Sequence, residues 1–184
     1  MEWGSGALAV ACLAAAVLHV VRLVVVRRDR AAEASHAAMA LGMAAMASPL
    51  GDPVPEPVWT SVFVLVAAWF AASVLRTRTV DGESVHHVVG SGAMLFMLAA
   101  DHGAHGGPTP AFVPITAMAL TGYFAWHALR CVDRCRHHPA HPAHCAEQPA
   151  GDGAVALSIR TPQAGAAGHL VGAVAMSAML LTMV

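Results

Sequence analysis

Hydrophobic positions in this chain fall into six long runs separated by short polar stretches. The runs cover residues 7–26, 35–50, 58–75, 85–100, 112–129 and 168–184. A helix needs about 20 mostly apolar residues to cross a bilayer, and its backbone must satisfy its own hydrogen bonds there. Alanine dominates the runs and no period-two alternation is present, which argues against strands. The pattern therefore predicts an all-α membrane protein with six transmembrane helices.

Composition supports this prediction. Of the 184 residues 57% are hydrophobic and 11% are charged, with a mean hydropathy of +0.60, whereas soluble domains carry about 25% charged residues. The chain begins Met1-Glu2-Trp3 without a basic stretch, so we expect no cleaved signal peptide. The low charge excludes a nucleic-acid footprint. Nucleotide-binding and hydrolase motifs are missing from the sequence, and we expect no enzyme.

The basic residues predict a topology. All of them are arginine, and they follow the first and third helices or lie between the fifth and sixth: Arg22, Arg27, Arg28, Arg30, Arg76, Arg78, Arg130, Arg134, Arg136 and Arg160. The connections 47–57 and 101–111 contain none. Because arginine is enriched in cytoplasmic loops, we expect a multi-pass plasma-membrane protein with both termini outside the cytoplasm.

Histidine and methionine recur with one spacing, H-x6-M-x2-M, in the three even-numbered helices. The copies are His36, Met43 and Met46; His87, Met94 and Met97; and His169, Met176 and Met179. The first and fifth helices each end in H-x-x-R, with histidines His19 and His127. The single domain 1–184 thus divides into helical hairpins 5–50, 57–101 and 110–184. Repeats in one orientation predict a pseudo-threefold arrangement about the membrane normal.

The spacing gives each even helix one donor-rich face. The first methionine lies about 20° around the helix from the histidine and roughly 10 Å further along it. Three converging faces would form one histidine layer and two methionine layers, and we expect small residues to permit that approach: Gly42, Gly90, Gly92 and Gly172. Thioether ligands suit Cu(I), and imidazole accepts copper. The repeat therefore indicates copper handling or transport, with His19 and His127 assisting the histidine layer.

Two other interpretations remain open on the same residues. Methionine is an adaptable packing residue, so the repeat is also compatible with a non-catalytic structural subunit of a membrane assembly. A pair of facing histidines would suit a b-type haem for electron transfer. Histidine pairs at suitable depth are His19 with His36 and His127 with His169.

Polar connections contain further metal-binding residue types. The segment 131–145 holds four histidines and three cysteines, interleaved with prolines, within a His/Cys/Pro-rich cytoplasmic loop 131–160. Prolines without apolar periodicity predict that residues 136–153 are poorly ordered, and cytoplasmic thiols are expected to stay reduced. Cys131 and Cys135 lie one turn apart and could continue the fifth helix. A D-H-x-x-H cluster, Asp101 to His105, lies on the other side.

These features carry a family resemblance. With six helices, an H-x-x-R motif closing the first and SHAAMALGMAAMA opening the second, the chain resembles the DUF5134 family of actinobacterial integral membrane proteins. The similarity spans most of the chain, chiefly the first four helices. The resemblance implies a membrane location and supplies no ligand residues. The alanine- and arginine-rich, lysine-free composition is typical of a high-GC bacterium.

Overall fold

The computed structural model describes residues 2–26, 29–103, 110–137 and 161–184. Within these ranges the chain forms six α-helices and no strand. The helices are α1 Glu2–Val25, α2 Arg30–Ala47, α3 Glu56–Thr77, α4 Gly82–Gly103, α5 Phe112–His137 and α6 Pro162–Leu181. The all-α prediction is confirmed, and α5 continues through Cys131 and Cys135 as their spacing predicts.

Several helix ends follow from local side-chain chemistry. Oδ1 of Asp81 accepts a hydrogen bond from the backbone N–H of Ser84 at 2.9 Å, which satisfies a free donor in the first turn of α4. Hydrogen bonds from Ser84 also lower the pKa of the Asp81 carboxyl. Thr161 caps α6 in the same way, since its side chain accepts from the backbone of Ala164. At the end of α3, Arg78 adopts a left-handed conformation, with φ of 53°.

Consecutive helices pair as hairpins. The most extensive packing joins α1 to α2, α3 to α4 and α5 to α6. Next in extent is the packing of α1 on α6, followed by the contacts of α2 with α6, α4 and α3. The second helix therefore lies at the centre of the bundle.

The helices divide by exposure. The odd-numbered helices present large apolar side chains on the outside, including Val10, Leu65, Trp69 and Ile115. In contrast, α2 buries nine residues, among them His36, Met39 and Met43. Apolar surface of this kind is compatible with contact to lipid and would be costly in water.

Four helices are long and apolar enough to cross a membrane. They are Gly4–Val25, Glu56–Thr77, Phe112–Asp133 and Gln163–Leu181. Helices α2 and α4 are not among them, because each contains histidine, serine, glycine and glutamate, which lower its mean hydropathy. The chain is thus consistent with a membrane protein. The predictions for the loop from 138 onwards and for the side chains of Asp101, His102 and His105 lie outside the described part of the structure.

Candidate metal centre

Histidines from five helices gather at one end of the bundle. The cluster consists of His19, His36, His86, His87, His127 and His169. His36 is its centre: ring centroids of His169, His87 and His19 lie 4.0, 4.5 and 4.9 Å from its own. His86 and His127 stack on each other at 3.8 Å beside this group. The structure therefore brings together all five histidines singled out in the sequence.

A buried carboxylate fixes one of these imidazoles. Nδ1 of His19 lies 2.7 Å from Oε2 of Glu33, and the other carboxylate oxygen accepts from Nε of Arg22 at 2.8 Å. The Glu33 contact assigns a proton to Nδ1 and leaves the Nε2 lone pair of His19 to face α6. A histidine that binds a metal through one ring nitrogen usually donates the N–H of its other ring nitrogen to a carboxylate, a backbone carbonyl or water.

Three imidazoles converge on the same point. Ring nitrogens of His19, His36 and His169 all lie within 4.8 Å of one another. The Nε2 atom of His36 is buried and has no hydrogen-bond partner among the residues the structure describes. Buried polar atoms are nearly always paired, so an orphaned nitrogen of this kind needs an explanation. A shared cation would supply one.

Imidazoles of His19, His36 and His169 line a small cavity of about 20 Å³. Methionine side chains also contribute to its wall: Met39, Met43 and Met176. The space is comparable to that of one water molecule or one ion. Nitrogen and thioether donors from three helices thus line the same cavity.

The repeated methionines divide in two groups. The plus-seven residues Met43, Met94 and Met176 are all buried in the core, so none faces lipid. Met43 and Met176 line the cavity, whereas Met94 packs beside Gly42. At plus ten, Met97 is buried, and the other two members, Met46 and Met179, are half-buried against the core.

Close helix approach depends on some of the predicted glycines. A methyl group on Gly42 would come within 2.8 Å of Phe63, and one on Gly90 within 2.8 Å of the Met39 sulfur. At Gly92 and Gly172 a methyl would meet nothing within 4 Å, so the prediction is wrong for these two. The missed contact is Gly168, where a methyl would lie 2.6 Å from Nε2 of His19.

The family follows from a match to residues 28–183, which fit the family model described as Domain of unknown function (DUF5134). The chain belongs to the DUF5134 family. The match begins after α1 and extends through α6, which confirms that the similarity spans most of the chain. Within the DUF5134 region lie His36, His87 and His169, while His19 lies before it. No curated protein and no solved structure matches the chain.

Three residues of the DUF5134 site were not selected from the sequence. Glu33 lies three residues before His36, so the spacing E-x-x-H places both on one helix face. His86 adjoins His87 and is buried because α4 is covered by α2 and α5 side chains on neighbouring faces. Met39 is outside the repeat, since its equivalents in α4 and α6 are glycines. The E-x-x-H spacing, repeated from Glu83 to His86, was the available signal.

Proposed function

We propose that this protein binds one Cu(I) ion within the membrane and acts in copper handling or transport. His19, His36 and His169 are its nitrogen ligands, and the thioethers of Met39, Met43 and Met176 surround the same cavity. The observation that carries the proposal is the convergence of the three imidazoles, with nitrogens within 4.8 Å of each other.

The donor set favours copper. Imidazole binds several first-row metals, but thioether sulfur selects Cu(I). Both donor types line one cavity. Oxygen ligands, which magnesium and calcium prefer, are represented by Glu33, and its two oxygens already contact His19 and Arg22.

Cavity size argues against the haem alternative. A volume of about 20 Å³ suits one ion, and the rings of His36 and His169 lie 4.0 Å apart. A macrocycle between two axial imidazoles would have to separate them. If the protein were purely structural, the buried Nε2 atom of His36 would have no partner. Burying such an atom without a partner is energetically unfavourable.

The membrane arrangement belongs to the same proposal. Helices α2 and α4 complete six spans, because their histidines face the bundle interior and lipid meets a remaining surface that is largely apolar. The three hairpins are related by a pseudo-threefold axis, as the H-x6-M-x2-M repeat implies. The one-sided arginines support a cytoplasmic location for the histidine end and extracytoplasmic termini.

Metal titration of the detergent-purified chain tests the proposal. Cu(I) is added anaerobically in competition with bicinchoninate, and we expect one ion per chain and no Soret band. His169→Asn removes one ligand and should weaken binding by 10-fold or more, on the order of the loss seen for supporting groups alone. The control is His127→Asn, which changes an imidazole of the same cluster outside the triad. A wild-type protein that takes up no Cu(I) would refute the proposal.

A further inference from the structure

His36 belongs to a second set of ligand atoms besides the one described. Together with Glu83 and His87 it forms a group whose three donor atoms lie within 4.8 Å of one another. The rings of His36 and His87 are 4.5 Å apart, almost as close as those of His36 and His169. One imidazole therefore stands between two candidate cation sites.

The second set contains its own unsatisfied imidazole. His87 is 0% exposed, and neither of its ring nitrogens has a hydrogen-bond partner in the described part of the chain. Phe70 stacks on its ring at 4.1 Å and supplies no polar atom. Burying a ring with both nitrogens unpaired costs free energy that water would otherwise offset. A bound cation would recover it through one nitrogen.

The two sets differ in exposure. Glu83 is exposed in the first turn of α4, whereas His19 and His36 of the first set are buried and His169 is partly buried. The second set therefore opens to the surface through Glu83, and no member of the first set is exposed. Carboxylate oxygen is a poor ligand for Cu(I), so the outer set should hold the ion weakly. Passage through a site requires such weak binding.

We propose that Glu83, His87 and His36 form an outer transit site through which Cu(I) reaches and leaves the inner site. This proposal rests on the proposed copper function. The ion stays bound to His36 while it moves. Its bonds to Glu83 and His87 break as its bonds to His19 and His169 form. The ion keeps its charge, and no electron is transferred.

The sites hold one ion between them. Two cations that share one imidazole in an interior of low dielectric repel each other strongly, because little solvent screens their charges. Exchange of a single ion around His36 avoids that repulsion. From the inner site the next donors along the cavity are Met39, Met43 and Met176, which would continue the route into the bundle.

Release kinetics of the full-length protein in detergent test the transit site. The chain is loaded with one equivalent of Cu(I), and transfer to excess bicinchoninate is followed by stopped-flow absorbance. In Glu83→Gln the equilibrium affinity should stay within about threefold and release should slow about tenfold, the lower range of effects for secondary ligands. The matched control is Glu56→Gln, another exposed glutamate in a first helical turn, which should change neither quantity.

The possible results separate the two proposals. Wild-type release rates in both Glu83→Gln and His87→Asn, with Cu(I) still bound, would overturn the transit site and leave the proposed function intact. A wild-type chain that binds no Cu(I) would overturn both. Two ions bound per chain would contradict the sharing of His36. Because Glu83 is exposed, Glu83→Gln should fold normally. It therefore tests the transit site even if His87→Asn fails to fold.

Discussion

Nδ1 of His19 lies 2.7 Å from Oε2 of Glu33, which joins the end of α1 to the start of α2. Arg22, one turn after His19, donates to the other oxygen of the same carboxylate. Both residues of the H-x-x-R motif that closes α1 thus bind one buried glutamate. Because Nδ1 of His19 makes the contact to Glu33, its Nε2 atom faces the cavity.

Replacing this carboxylate should weaken metal binding. Glu33→Gln keeps the shape of the side chain but loses the charge that makes His19 a stronger ligand. We expect a loss of about 10- to 100-fold in Cu(I) affinity, as for other outer-shell partners, measured by chelator competition. Glu56→Gln serves as the control. Unchanged affinity in Glu33→Gln would show that the contacts of Glu33 with His19 and Arg22 only hold the two helices together.

Filling the space at Gly168 should displace His19. A methyl there would come within 2.6 Å of Nε2 and 3.1 Å of Cε1 of the ring. We expect Gly168→Ala to lower stability by roughly 1–3 kcal/mol, as overpacked sites do, and to reduce Cu(I) affinity. Thermal unfolding and metal titration measure the two effects.

Gly92→Ala is the matched control for that variant. Its methyl meets nothing within 4 Å, so helix propensity should stabilise it by up to about 1 kcal/mol. Equal behaviour of Gly168→Ala and Gly92→Ala would contradict the close packing of His19 against α6.

Methionine variants distinguish the cavity ligands from the repeated layer. Met39→Leu removes a sulfur from the cavity wall, whereas Met94→Leu changes a buried repeat residue away from it. Leu and Met have similar volumes, so each should cost less than about 1.5 kcal/mol. We expect Cu(I) affinity to fall only for Met39→Leu, with exposed Met118→Leu as the control.

The reverse result would restore the layer predicted from the repeat. If Met94→Leu weakens binding as much as Met43→Leu and Met176→Leu, the three plus-seven methionines act together. If all these variants bind normally, the methionines serve only for packing.

Thiol labelling of intact cells tests the predicted topology. Cys145 lies in the connection that carries Arg130, Arg134, Arg136 and Arg160, which the arginine distribution assigns to the cytoplasm. We therefore expect an impermeant maleimide to label Cys145 only after permeabilisation. The other three cysteines, Cys12, Cys131 and Cys135, are replaced by alanine so that only Cys145 can be labelled. Labelling of unpermeabilised cells would reverse the assigned orientation.

Hydropathy and residue spacing predicted the helices and the histidine cluster, because both patterns depend on which residues are buried. The apolar runs located the helices, since each run reflects one segment that must be shielded from water. The shared H-x6-M-x2-M spacing predicted that His36, His87 and His169 lie together, and the rings of His87 and His169 do lie 4.5 and 4.0 Å from that of His36. His19 and His127 were predicted to join them only because these two residues lie at a similar depth in the membrane.

Contacts specific to one hairpin could not be anticipated from a repeat. Met39 lines the cavity because its equivalents, Gly90 and Gly172, have no side chain to occupy that space. The sequence does not single out Glu33, because glutamate is rarely buried unless it is paired, and here Arg22 and His19 compensate its burial. Such compensation depends on partners from other helices, which no local pattern in the sequence displays.

The segment shared across the family begins at residue 28, after the helix that supplies His19 and Arg22. Replacing this first helix in the present chain would leave Glu33 without His19 and Arg22, its two side-chain partners from α1. Under the proposed function the same replacement would remove one of three imidazole ligands and leave His36 and His169 in place. The metal preference would then depend on a helix that lies outside the segment matched to the family model.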